Sequence, residues 1–88
     1  PMQLVIRSPW STYRFVRTAS RPGGLERYDV YVRNLLGEEL LGRIDNGNVD
    51  VDTFKGDIDP GFRHEDREML FKQARHLLRR YRTERAHA

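Results

Sequence analysis

The chain has 88 residues, 38% of them apolar and 33% charged, with no Cys and a formal charge of +3. That composition suits one small core forming a single domain over residues 1–88, and it excludes a disulfide framework and thiolate metal sites. No apolar run approaches the roughly 18 residues of a membrane span, and the opening residues lack a signal-peptide pattern, so the expectation is a cytoplasmic protein without a membrane partner.

Hydrophobic periodicity changes once along the chain, from the alternation of strands to the period of a helix. Leu4, Val5 and Ile6 predict a first short strand ended by Ser8-Pro9, because proline supplies no ladder donor. A second strand is expected over Thr12 to Thr18, closed by the turn residues Ala19-Ser20-Arg21-Pro22-Gly23-Gly24. From Glu26 to Arg33 the alternation is clean, with Tyr28, Val30 and Val32 on the core face and Arg27, Asp29, Tyr31 and Arg33 on the other.

Asn46-Gly47 predicts a two-residue type I′ hairpin, since that turn needs positive φ at both positions. The register would place Ile44 opposite Val49, Gly42 opposite Val51 and Leu40 opposite Thr53, with Arg43 facing Asp50. Gly42 in mid-strand leaves room for something bulky such as Trp10 or a helix residue, or else marks a bulge.

Asp59-Pro60 reads as the start of a helix, with Asp capping and Pro at the first helical position. The helix should run from about residue 62 to 83, acids early and Arg late, as the macrodipole favours, and residues 84–88 should form a frayed tail. Leu70, Ala74, Leu77, Leu78 and Tyr81 share one arc, with Phe71 at its edge. The opposite arc carries Glu68, Lys72, Arg75, Arg79 and Arg82, with His64 and His76 flanking it. The fold class is therefore α+β: an antiparallel meander of about five strands over residues 2–54, covered on one face by a single long C-terminal helix, with a curled, barrel-like sheet as the alternative.

Charge is distributed in three blocks. Residues 1–37 carry six Arg and two acids, residues 38–66 three basic and nine acidic groups, and residues 67–88 seven basic and two acidic groups, for nets of +4, −6 and +5. Two basic surfaces and one acidic surface can each select partners by sign. The expected anion-binding or nucleic-acid-binding residues are Arg14, Arg17, Arg27, Tyr31 and Arg33 on the strands, with Lys72, Arg75, Arg79 and Arg82 on the helix. Arg interleaved with aromatics suits single-stranded nucleic acid, because bases stack on rings while guanidinium groups meet phosphates. The alternative is a protein-binding or self-associating module, a homo-oligomer in the latter case, using Asp50, Asp52, Asp57 and Asp59 within an acidic segment 45–59 against the basic helix 72–85.

Chemistry finds little support. Counted from Asp50, an EF-hand would need an acid at its twelfth position, where Gly61 stands, and Arg21-Pro22-Gly23-Gly24 lacks Walker spacing. The three His lie far apart in sequence, and no nucleophile accompanies them. The expectation is a non-enzymatic binding module without cofactor or metal, recognising nucleic acid or an oppositely charged protein.

Overall fold

A computed structural model describes residues 3–21, 26–46 and 54–86 of the chain. Five strands and one helix follow in order: β1 (Gln3–Arg7), β2 (Thr12–Ser20), β3 (Glu26–Asn34), β4 (Gly37–Asn46), β5 (Phe54–Ile58) and α1 (Arg67–Ala86). The sheet is an antiparallel meander in the order β1-β2-β3-β4-β5, and α1 packs on one of its faces. It is an open sheet with β1 and β5 at its edges, not the barrel-like alternative.

Alternation decides which side the helix covers. Tyr13 and Phe15 from β2, Tyr28, Val30 and Val32 from β3, and Leu41 and Ile44 from β4 are buried with Phe54, Leu70, Phe71, Ala74 and Leu78. The expected core face of β3 is thus the observed one. On α1 the buried stripe is rotated from the expected arc: Phe71 is in the core, whereas Leu77 is only partly buried and Tyr81 is half-buried. Phe71 is drawn inward because Gly56 on β5 lies beneath it; a Cβ there would sit 2.6 Å from the Phe71 ring and 2.2 Å from the Arg43 carbonyl oxygen.

The same contact explains why the predicted hairpin register is wrong. Asn46, Asp45, Ile44, Arg43 and Gly42 pair with Phe54, Lys55, Gly56, Asp57 and Ile58. Gly47, Asn48, Val49, Asp50, Val51, Asp52 and Thr53 lie outside the described residues, and Arg43 faces Asp57, not Asp50. This register puts the Phe54 ring in the core and the side-chain gap of Gly56 under Phe71, a fit that valines at 49 and 51 would not provide. Gly42 is adjacent to a bulge, where the pairing slips between Val30 and Tyr31. Its missing side chain leaves room for the β5 backbone, with the Asp57 carbonyl oxygen 2.4 Å from an added Cβ, and not for Trp10.

The helix starts five residues later than expected from residue 62, at Arg67. Asp59 does not cap it. Its Oδ2 accepts from the Gly61 N–H at 2.9 Å and its carbonyl from the Phe62 N–H at 3.1 Å, forming a turn that sends the Phe62 ring into the core. His64 lies in this connection, its Nδ1 accepting from the Asp66 N–H at 3.0 Å, so it does not share a helix with His76.

Candidate functional site

The strand residues expected to bind anions divide between the two faces of the sheet. Arg14 lies opposite Tyr31 in the ladder, whereas Arg17 lies opposite Tyr28 on the helix side. Three positions along a strand is an odd step, so Arg14 and Arg17 point apart. On the open face Arg14 grips Glu38 through two bonds, Nε to Oε2 at 2.9 Å and Nη2 to Oε1 at 2.6 Å, and its guanidinium lies 4.3 Å from the Tyr31 ring centre. Hydrogen bonding from Arg14 holds the Glu38 carboxyl below the usual carboxylate range, and the same bonds raise the Arg14 pKa. Arg33 faces Glu38 across the β3–β4 ladder, Arg27 bonds Asp45 at 2.6 Å, and Arg43 lies 3.7 Å from Asp29. The open face is therefore a lattice of opposite charges, and the one aromatic ring in it is already covered by Arg14.

The helix cations also separate. Arg82 turns toward the sheet, where it pairs with Glu26 and donates to the Tyr28 hydroxyl at 3.4 Å; that hydroxyl donates in turn to Glu26 at 2.6 Å. Burial lowers the Arg82 pKa, with the like charges of Arg17 and Arg85 adding to the effect. It ties the end of α1 to the start of β3 and does not belong to an outward stripe. Arg75 borders the core: Nη1 reaches the Phe54 carbonyl at 3.4 Å, its guanidinium lies 5.6 Å from the Phe71 ring centre, and its buried Nε has no hydrogen-bond partner. Lys72 and Arg79 are exposed on the outer side.

What the sequence reading missed is Trp10. Of the nine aromatic residues, Tyr13, Tyr28 and the four Phe are buried, Tyr31 and Tyr81 are half-buried, and Trp10 is 86% exposed. It sits at the tip of the β1–β2 turn, which local chemistry fixes: the Ser8 N–H and hydroxyl donate to the Ser11 carbonyl at 2.8 and 2.9 Å, and the Ser11 N–H donates to the Ser8 hydroxyl at 3.1 Å. Pro9 pre-sets φ beside it. Trp10, Met69, Lys72, Gln73, His76 and Arg79 line a groove of about 650 Å³ that also reaches Leu70 and Arg75. Gln73 is positioned there by the Tyr13 hydroxyl, which donates to its Oε1 at 2.6 Å. The signal for Trp10 was a large ring directly after Ser8-Pro9, where the first strand was expected to end.

Of the acidic residues expected to bind protein, Asp57 and Asp59 line one depression with Asp29 and Arg43 among the described residues. Asp50 and Asp52 lie outside them, Asp57 pairs across the ladder with Arg43, and Asp59 is spent on its turn. Among the described residues no group of three His, Asp or Glu is placed to hold a metal ion, and no helix is long and apolar enough to cross a membrane. No family model matches the chain, and neither a curated protein nor a solved structure matches it.

Proposed function

We propose that this protein is a non-enzymatic nucleic-acid-binding module whose contact surface is the groove between Trp10 and the outer side of α1. One observation carries the reading: the chain's only exposed aromatic ring lines the same groove as Lys72, Arg75, His76 and Arg79. An exposed indole offers a π-face to a base, and cations beside it offer charge to phosphate, the pairing that sequence-tolerant nucleic-acid binding uses. The open sheet face supports the reading less well, because Glu38, Asp45 and Asp29 answer its arginines. Of the residues first expected to bind, Lys72, Arg75 and Arg79 are therefore kept, and Arg14, Arg17, Arg27, Tyr31, Arg33 and Arg82 are set aside.

The test is binding to DNA and RNA over a range of salt. Affinity should fall steeply as salt rises, because displaced counterions supply much of the free energy. Lys72→Glu with Arg79→Glu should weaken binding to every sequence and flatten the log–log salt slope by about 1.4 to 1.8, the loss of two phosphate contacts at about 0.7 to 0.9 each. Both side chains are exposed, so the thermal melt should stay close to that of the parent. No binding to any DNA or RNA at about 50 mM salt would remove this function.

A further inference from the structure

Two turns meet at one end of the sheet, and both display apolar side chains that their own geometry does not need. In the β3–β4 turn Asn34 pairs with Gly37, the Asn34 Oδ1 accepts from the Leu36 N–H at 2.8 Å, and Gly37 takes a φ of 133° that side-chain-bearing residues rarely adopt. Asn34 and Gly37 therefore make the turn. The side chains of Leu35 and Leu36, at 106% and 98% exposure, contribute nothing to it. Polar residues usually fill such tips, so two leucines there ask for something to cover them.

Trp10 connects this tip to the groove. It lines the groove along α1 and also a second depression of about 680 Å³ formed with Pro9, Arg33, Leu35 and Leu36. One side of that position carries Lys72 and Arg79, and the other carries the two leucines. We infer that the protein takes a single strand across this end of the sheet, with Trp10 seated between two successive bases. The inference rests on the nucleic-acid reading of the groove and narrows it to single strands.

On the helix side one base lies between Trp10 and Met69, with its backbone running along Lys72 and Arg79. Those two cations are two helical turns apart, about 10.5 Å at a rise of 1.5 Å per residue, and so meet different phosphates. On the other side the next base packs against Leu35 and Leu36. Apolar side chains against base faces are a known way to hold unstacked nucleotides. A duplex offers its bases already paired and stacked, and opening a step costs part of the binding free energy. Strandedness then follows from the shape of the site.

Trp10 is the chain's sole tryptophan, so its fluorescence reports on this position alone. The experiment titrates the protein with an oligothymidine strand of about 12 nucleotides, within the span that small single-strand-binding domains cover. The same strand made abasic and a duplex of equal length serve as comparisons. The intact strand should quench Trp10 and bind at least about tenfold tighter than either comparison, the size of effect that one stacked base supplies. Trp10→Ala should lose about tenfold with an unchanged salt slope, since it removes stacking and no charge. Leu35→Ser with Leu36→Ser should lose several-fold at an unchanged slope and an unchanged thermal melt.

Equal binding of the abasic strand or the duplex would overturn the single-strand inference and leave the nucleic-acid function standing. Undiminished affinity of the Leu35→Ser, Leu36→Ser variant would overturn the second base position. Failure of all three ligands to bind would remove the parent reading itself.

Discussion

Leu77 and Leu78 are adjacent on α1 and chemically identical, which makes them the sharpest probe of how the helix lies on the sheet. Leu78 is 0% exposed within the core, whereas Leu77 is only partly buried at its border. Truncating Leu78 to Ala removes three carbons from water-free surroundings, about 2.4 kcal/mol at about 0.8 kcal/mol per methylene, before any cavity cost. The cavity left in the core raises the expected loss to about 3 to 5 kcal/mol. A chain of this length has a total stability of about 4 to 13 kcal/mol, so Leu78→Ala should remove about a quarter of it or more. Leu77→Ala should cost less than half as much, because its site opens to water and collapses without a void. Urea titration followed by far-UV circular dichroism measures both, with the midpoint shifting and the slope conserved. Equal losses at the two positions, or the larger loss at Leu77, would refute the orientation of the helix.

Gly56→Ala should destabilise by about 1 to 3 kcal/mol, because the new Cβ meets the Phe71 ring and the Arg43 carbonyl and forces one element to move; a neutral effect in the same titration would contradict the close approach of α1 to β5. Burial pushes the Tyr13 hydroxyl from 10.0 up to about 12, so between those values an unfolded chain loses this proton while the folded one keeps it. Stability should therefore fall as pH rises through that window, with Tyr28, also raised by burial, adding to the loss. Tyr13→Phe should cost about 1 kcal/mol at neutral pH through the lost bond to Gln73, yet show a shallower alkaline decline, by at most about 3 kcal/mol. Parallel pH–stability curves for the two proteins would show that Tyr13 is not the group responsible.

Elements whose pattern is local were legible in the sequence. Tyr28, Val30 and Val32 alternate without interruption and form the core face of β3, and Leu70, Ala74 and Leu78 keep the period that puts α1 over the sheet. The β4–β5 register was not legible, for a physical reason visible in residues 49–58. Val49, Val51 and Thr53 alternate in one parity, while Phe54, Gly56 and Ile58 alternate in the other. Either run satisfies a strand, and Asn46-Gly47 favours the first by turn chemistry alone. The choice is made from above by Phe71, fifteen residues beyond Gly56, and a long-range fit of ring over glycine leaves no trace in a local pattern. For the site, the signs of the charges were legible and their partners were not. Arg14 finds Glu38 and Arg27 finds Asp45 only because the meander places β2, β3 and β4 side by side.

That pairing changes what the three charge blocks mean. The first block's arginines and the middle block's acids read as two opposed surfaces along the chain, yet folding brings them onto one sheet face, where Arg14, Arg27 and Arg33 stand against Glu38 and Asp45. Strands β2 to β4 thus convert a separation in sequence into cancellation in space. The third block is matched only in part among the described residues. It carries seven cations and two acids, and although Arg82 meets Glu26 and Arg80 meets Glu84, its surplus of +5 lies on a single helix whose inner side is apolar. Field from such a surplus is strongest where the helix borders low-dielectric surface, and the groove beside Trp10 and Met69 is that place. Excess positive charge therefore lies beside the one aromatic ring left in the open, and the sheet face that looked basic in the sequence carries little net charge.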